Sequence, residues 1–310
     1  MISLRQHAIS IAAIFLALAV GVVLGSQTLA SSVLGGLRDD KSDLQRQVDD
    51  LEGANNALRL QLQAADNFDA ATGGRVVKDA LAKRTVVVFT TPDADSADVQ
   101  GVTDLVAAAG GSVTGRIGLT DAFLDVANAD RLRTTVTNVV PAGAQLKTGA
   151  VDQGSLSGDL VGLVSLLNAL DAKPQGSPEE IALALGSLRN AGFLTYDDGF
   201  APAQLAVVVT GDARDGNRSA IVARFAAALD GRSAGAVLAG RPAAAEGNGP
   251  IAVARADAGL AAAASTVDNI DRQFGRMTVI LALAEQLSGG SGRYGTGPKA
   301  SAITVGARPS

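Results

Sequence analysis

Few side chains in this sequence could serve as a nucleophile, a general base or a soft metal ligand. The chain contains no cysteine and a single histidine, His7, which lies close to the amino terminus. No serine occupies a Gly-x-Ser-x-Gly elbow leading from a strand into a helix, so the usual pairs of nucleophile and base cannot be assembled. The sequence therefore predicts a protein without catalytic, cofactor-binding or metal-ligating residues.

Two loops rich in aspartate follow predicted strands, at the place where open α/β sheets bind ligands. One loop reads GDARDGNRS from Gly211 to Ser219, and the other reads TTPDAD from Thr90 to Asp95. Neither loop has the GxGxxG or the GxxxxGKS spacing, so a phosphate-binding loop is not supported. We interpret both loops as turns, and we expect Asp93 or Asp95 to cap the helix that follows.

Two pairs of carboxylates have a spacing that could provide an acid and a base or hold a hard cation. The pairs are Asp197 with Asp198, and Asp268 with Asp271. The chain has 26 basic and 31 acidic residues, which gives a net charge of −5. Acids in such a protein usually lie on the surface, and we predict this for both pairs.

Composition limits the classes of function. With 310 residues, 47% of them apolar, the chain can form one large domain with accessory segments. Lysine and arginine never form a run, which argues against nucleic-acid binding through phosphate contacts. The lack of cysteine excludes disulfides, cysteine zinc sites and a lipid-attachment cysteine.

Residues 1–30 are predicted to form a membrane anchor. Residues 8–25 carry no charge, and at ~1.5 Å per residue such a helix nearly crosses the ~30 Å hydrocarbon layer. Arg5 precedes this run, whereas Arg38 and the acids after it follow, which predicts a cytoplasmic amino terminus and an extracytoplasmic body. A cleaved signal peptide is the alternative, but the run exceeds the usual ~7–15-residue signal core. In either case the body is exported.

Residues 34–66, which we call the stalk, are predicted to form a coiled coil. Leucine recurs every seven residues at position d, and position a is occupied by Leu34, Lys41, Val48, Asn55 and Leu62. The predicted seam consists of Leu37, Leu44, Val48, Leu51, Asn55, Leu58 and Leu62. A buried Asn55 is paired only when two helices are parallel and in register, so we predict a parallel homodimer or a higher oligomer. The alternative is a helix packed on its own domain, but the narrow apolar stripe favours the dimer.

Residues 78–289, which we call the head, are predicted to form a doubly wound, mostly parallel α/β domain of Rossmann-like type with a helical insertion. Predicted strands cover residues 85–90, 112–119, 204–210, 234–238 and 251–254. Predicted helices cover residues 92–109, 127–140, 155–172, 178–191, 218–229 and 267–287. Glycine pairs at 35–36 and 73–74 are expected to act as joints on either side of the stalk. Residues 290–310 are glycine-rich and predict a flexible tail.

Several segments together resemble the actinobacterial copper-transport protein family known as MctB. They are the basic, apolar amino terminus, the leucine heptads, TVVVFTTPDAD from Thr85, GRIGLT at Gly115 to Thr120, and the ending LALAEQL…GG…YG from Leu281 to Gly295. The similarity covers nearly the whole chain, and none of these segments is a catalytic motif. The resemblance implies an exported cell-envelope protein associated with copper efflux, described as an outer-membrane channel of mycolic-acid bacteria.

Two functions remain open at the level of sequence. In the first, the chain takes part in copper transport across the envelope. Copper(I) prefers thiolate, thioether and imidazole donors, which only His7, Met1 and Met277 offer, so copper is expected as a transported ion and not as a bound cofactor. In the second, the chain is a membrane-anchored dimeric scaffold or regulator of an envelope partner, such as a cell-wall enzyme. Expected partners are a second copy of the chain, the membrane and an envelope protein.

Overall fold

The computed structural model describes residues 4–147, 149, 151–212 and 215–307, apart from the side chains of residues 4–5 and 26–40. The chain divides into two compact units, Met1–Ala65 and Asp66–Ser310. The first unit is helical, and the second contains a seven-stranded sheet. The mixed α/β class that we predicted is confirmed.

Helix α1 spans Leu4–Val76. Its stretch Gln6–Gly25 is long and apolar enough to cross a membrane, and none of its side chains is buried by the protein. Twenty residues at ~1.5 Å each match the ~30 Å of a hydrocarbon layer. The helix continues through Gly35, Gly36, Gly73 and Gly74, so the predicted joints do not interrupt it.

The sheet has the strand order β3-β2-β1-β4-β5-β6-β7. Its strands are β1 Thr85–Thr90, β2 Ser112–Leu119, β3 Leu194–Tyr196, β4 Leu205–Thr210, β5 Ala236–Gly240, β6 Ser265–Val267 and β7 Arg293–Tyr294. Among the strands that the structure describes, β2 and β3 form an antiparallel pair and the other neighbouring strands are parallel. The strand order reverses between β1 and β4, which confirms a doubly wound sheet and places a topological switch point between these two strands.

Helices cover both faces of the sheet. They are α2 Ser96–Ala108, α3 Asp121–Leu124, α4 Ala129–Asn138, α5 Gln153–Ser165, α6 Pro178–Asn190, α7 Gly216–Asp230, α8 Pro250–Ala256, α9 Ala258–Ala263 and α10 Gln273–Gln286, with 3-10 turns at Val126–Asn128 and Pro242–Ala245. Because side chains alternate along a strand, Val87 and Phe89 of β1 enter the core beneath α5 and α7, whereas Val86 and Val88 enter the core beneath α2 and α10.

A row of glycines brings α5 into close contact with α7. Gly154, Gly158 and Gly162 follow one another at intervals of four residues and so share one face of α5. A β-carbon at Gly154 would stand 2.4 Å from the Ile221 carbonyl oxygen, and one at Gly158 would stand 2.9 Å from the Phe225 carbonyl oxygen. Only glycine therefore permits this close approach of α5 to α7.

The predicted helix 155–172 ends earlier, at Ser165, because Leu166 and the residue after it form β-bridges instead.

Two predictions near the carboxyl-terminal end of the head are wrong. Residues 251–254, predicted as a strand, lie within helix α8, because a short apolar run does not distinguish a buried helix from a buried strand. The predicted helix 267–287 begins only at Gln273, since Ser265–Val267 forms strand β6 and Asp268 and Asn269 follow it as buried loop residues.

The predicted flexible tail is also wrong for its first half. Arg293–Tyr294 pairs in parallel with β6, and the Tyr294 side chain is buried. Gly295 has φ +128° and passes so close to Asp268 that a β-carbon would stand 2.1 Å from Oδ1. Glycine is therefore required here for close backbone approach and positive φ, which composition alone does not distinguish from flexibility.

Candidate functional site

The predicted seam residues lie along one face of α1. Five of them are exposed to solvent, namely Leu44, Val48, Leu51, Leu58 and Leu62. The exposed fraction of Leu51 is 70%. Steps of three and four residues keep them within one narrow stripe of the helix surface. The side chain of Leu37 lies outside the described residues.

Asn55 stands in the middle of this stripe and is exposed in the single chain. Val48 and Leu51 precede it and Leu58 follows it, so its amide interrupts an otherwise apolar surface. From Leu44 to Leu58, the structure therefore presents the seam as an exposed apolar surface with one polar position.

A second candidate site is a cavity of about 250 Å³ at the switch point between β1 and β4. We call it the switch-point cavity. Its polar lining residues come from loops and helices that follow three strands, and they are Thr91, Asp93, Asp121, Thr210, Arg218 and Ser219. Leu124 and Val222 supply apolar walls, together with two prolines. Open α/β sheets bind their ligands at this place in the fold.

The two strand ends are joined to each other by threonine side chains. The Thr91 hydroxyl donates to Asp93 Oδ1 over 2.6 Å, and the Thr91 and Thr210 hydroxyl oxygens lie 3.5 Å apart. The Thr91 amide also donates to the Val209 carbonyl. These bonds fix the loop after β1 against the end of β4 and so define the floor of the cavity.

The other side of the cavity is formed by α3 and α7. Asp215 caps α7 by accepting from the Asn217 amide over 3.0 Å. Arg218 reaches across and pairs with Asp121 at the start of α3. Ser219, one residue further along α7, is 1% exposed, and its hydroxyl has no hydrogen-bond partner among the described residues.

Elsewhere in the head, a buried carboxylate holds three elements together. Asp98 of α2 accepts from Arg241 Nε over 2.7 Å and from Arg276 Nη2 over 2.9 Å. Asp95 caps α2 by accepting from the Ala97 amide, which confirms one of the two predicted caps. That bond, together with nearby Arg241, holds the Asp95 pKa below its usual range. These acids are structural.

The comparisons with known proteins agree over the whole chain. The family model described as "Copper transport outer membrane protein, MctB" matches residues 1–305. Relatives named "Copper transporter MctB" from Mycobacterium tuberculosis and Mycobacterium bovis are 49% identical, over 98% of this chain and 99% of their own length. The relative of the same name from Mycobacterium leprae is also 49% identical over the same shares. This chain belongs to the MctB family.

The soft donors of this MctB family member lie far apart in its sequence. His7 lies in the apolar part of α1, and Met277 is buried in α10. Met1 lies outside the described residues. Among the described residues, no three His, Cys, Asp or Glu side chains come together as metal ligands.

The two predicted carboxylate pairs differ in how deeply they are buried. Asp197 remains near the surface, where Oδ2 accepts from the Arg116 amide over 3.2 Å. Asp268, in contrast, is completely buried and paired with Arg255 at 2.6 Å, so its predicted surface position is wrong. Because Asp268 is neutralised by this partner and Asp271 is exposed, the second pair does not form a shared site.

The chain contains one Gly-x-Ser-x-Gly motif that was not predicted. Residues 231–235 read GRSAG, which has the Gly-x-Ser-x-Gly spacing. The motif leads from α7 into β5, the reverse of a nucleophile elbow. The Ser233 hydroxyl is buried and donates to the Leu229 carbonyl over 3.0 Å. It therefore closes a helix and is not presented to a substrate. The names of the MctB relatives likewise describe transporters and not enzymes.

The sequence located the two loops of the switch-point cavity, including Arg218 and Ser219, but it did not show that Asp121 and Leu124 lie beside them. Asp121, Arg218 and Ser219 come from segments about a hundred residues apart. Their proximity depends on strand order, which a single sequence does not reveal. The one available signal was the position of both loops directly after predicted buried strands.

Proposed function

We propose that this protein is an envelope protein with one membrane span that takes part in copper transport, with its amino terminus in the cytoplasm and its head outside. The observation that carries the proposal is the 49% identity with proteins named as copper transporters, over 98% of the chain. The family match at residues 1–305 covers the residues of the apolar helix Gln6–Gly25 as well as those of the head.

These residues fit a protein that either supports copper transport indirectly or forms a channel from several copies of the chain. The described residues contribute one apolar helix per chain, so a channel, including one in the outer membrane, would require several copies. Soft donors are too few to build a copper(I) site within one chain. We therefore propose copper as a transported ion, without a resident copper cofactor.

The first experiment tests copper transport directly. A strain lacking the gene is complemented with the native chain, and with a variant in which Met277 is replaced by leucine. Growth and cell-associated copper are measured over increasing copper concentrations. We expect the native chain to lower cell copper and restore growth, and Met277→Leu to do so equally. A deletion strain with unchanged copper content and tolerance would contradict the transport role.

The second experiment tests the topology. Because the chain has no cysteine, single cysteines can be placed without background labelling. Leu170 is 97% exposed in the head, so Leu170→Cys should react with a membrane-impermeant maleimide in intact cells. Ser3→Cys, before the apolar helix, should react only after the membrane is permeabilised. The reverse pattern would contradict the proposed orientation.

A second candidate function is a dimeric scaffold or regulator for an envelope partner. The exposed leucine stripe of the stalk favours it, because apolar side chains at a and d positions are usually covered by a second helix. This function does not require copper binding, and it is compatible with the few soft donors of the chain. It predicts that a chain lacking residues 37–62 loses its activity even when the head still folds.

Cross-linking separates dimer formation from a stalk without a partner. In a parallel pair, Leu58→Cys places two thiols at one d layer, within the 4.4–6.8 Å Cα spacing that a disulfide needs. Leu60 is a matched control, because it is exposed to a similar extent, 67% against 59% for Leu58, but lies outside positions a and d of the seam. We expect a disulfide-linked dimer from Leu58→Cys and none from Leu60→Cys. Equal cross-linking of both variants would contradict the parallel seam.

A further inference from the structure

The switch-point cavity has features that the transport and scaffold functions do not use. It lies between β1 and β4, where the strand order reverses, and it encloses about 250 Å³. This volume is below the ~300–1,000 Å³ of drug-sized sites, so it suits one small molecule. The threonine bonds hold the loop after β1 in place without a ligand.

Ser219 is the observation that points to a ligand. It lines the cavity from the first turns of α7, and its hydroxyl is buried without a partner among the described residues. Buried hydroxyl groups are nearly always hydrogen-bonded, since an unpaired one is unfavourable. Ser157 of α5 shows the ordinary case, because it is equally buried and donates to the Gln153 carbonyl over 2.5 Å.

The charges of the described lining residues disfavour an anionic ligand such as a nucleotide. Asp93 and Asp121 both line it and would repel a phosphate group. Arg218 is already paired with Asp121, and Asp215 already caps α7. No phosphate-binding motif is present in either loop. A bound metal ion is not supported either, because no three candidate ligands converge among the described residues.

The remaining chemistry suits a neutral ligand with several hydroxyl groups. Carboxylate oxygens accept hydrogen bonds from hydroxyls, the serine and threonine hydroxyls can donate or accept, and Arg218 can donate. Leu124 and Val222 offer apolar walls for the carbon face of such a ligand. We propose that the switch-point cavity binds a monosaccharide-sized polyhydroxy compound, with Ser219 as a direct hydrogen-bonding partner.

The test uses the full chain in lipid nanodiscs, which avoids detergents that carry a sugar head group. The probes are methyl α-D-glucoside, methyl α-D-mannoside and D-arabinose, with AMP as the anionic comparison. Saturation-transfer NMR detects contact with the protein, and titration gives the dissociation constant. We expect at least one sugar to bind, with no binding of AMP. The variant Ser219→Ala should weaken sugar binding by about tenfold or more, because one direct hydrogen bond is lost.

A second readout separates ligand binding from a structural role of Ser219. Removing a buried hydroxyl without a partner should leave the melting temperature of the free protein unchanged or raise it. Ser157→Ala, the matched control, should lower the melting temperature and leave sugar affinity unchanged. The proposal is overturned if Ser219→Ala melts lower as Ser157→Ala does, if AMP binds and the sugars do not, or if no sugar responds to Ser219→Ala.

Discussion

The buried ion pair between Arg255 and Asp268 offers the most direct test of how the last strand is held. Both side chains are 0% exposed, and Arg255 Nη1 lies 2.6 Å from Asp268 Oδ2. Asp268 also accepts from the Thr296 amide over 2.9 Å and from the Gly297 amide over 3.0 Å. Arg255 in turn donates to the Tyr294 carbonyl over 2.7 Å. We therefore expect Asp268→Ala to destabilise the whole carboxyl-terminal edge of the sheet.

The expected loss of stability in Asp268→Ala follows from the groups that would be left without a partner. Removing one partner of a buried ion pair costs about 3–5 kcal/mol, because the remaining charge stays buried. The Thr296 and Gly297 amides lose their acceptor as well, which places the change at the upper end of this range. A total stability of about 5–15 kcal/mol makes this a large fraction. At about 2–4 °C per kcal/mol, the melting temperature should fall by about 10 °C or more.

The assay is thermal unfolding of the full chain followed by circular dichroism, combined with limited proteolysis. Asp268→Ala should melt early and be cut near residues 293–302. The matched control is Asp171→Ala, which breaks a pair with Lys173 that is mostly exposed to solvent. Such a pair contributes about 0–1 kcal/mol, so the control should melt like the native chain. If Asp268→Ala matched the control in both measurements, the reasoning on the buried pair would be refuted.

Three further predictions concern pH and the stalk. Burial raises the pKa of Asp230 from 3.8 to about 6, so the folded state holds a proton that the unfolded state has lost between these values. The free energy of unfolding should therefore fall as pH rises from 4 to 6. Asp230→Asn should remove this pH dependence and raise the free energy of unfolding at pH 7.5 by up to about 3 kcal/mol, measured by thermal unfolding at pH 4, 6 and 7.5. An unchanged pH dependence in Asp230→Asn would contradict the raised pKa of Asp230. Leu51→Pro should break the stalk helix at a cost of ~3 kcal/mol or more, seen as lost helicity and lost Leu58→Cys cross-linking. Asn55→Leu should raise the melting temperature while loosening oligomer number or orientation, seen by light scattering, and a single unchanged species would argue against its role in pairing.

The sequence predicted the central strands well because their signal is local. The runs at Thr85–Thr90 and Leu205–Thr210 are β-branched and lack polar alternation, as expected for strands buried on both faces. The helix at Pro178–Asn190 was equally clear, since Pro178 and the acids Glu179 and Glu180 occupy its first turn. Such elements depend on neighbouring residues alone.

The errors arose where long-range contacts decide the structure. The short strands β6 and β7 carry no strong local signal, and β7 exists because it pairs with β6 and is fastened by Arg255 from α8. Asp268 follows β6 directly and looks like any surface acid in the sequence. The switch-point cavity has the same origin, because strand order alone brings Asp121 to Arg218.

The glycine row of α5 has a mechanical consequence for the switch-point cavity. It sets the distance at which α7 rests on the helical insertion, and α7 carries Arg218 and Ser219 into the cavity. A single added methyl group, as in Gly158→Ala, would push the two helices apart at Phe225, about one helical turn from the lining residue Val222. The packing of α5 against α7 thus sets the position of Arg218 and Ser219. Changes in this packing would alter the shape of the cavity without replacing any residue that lines it.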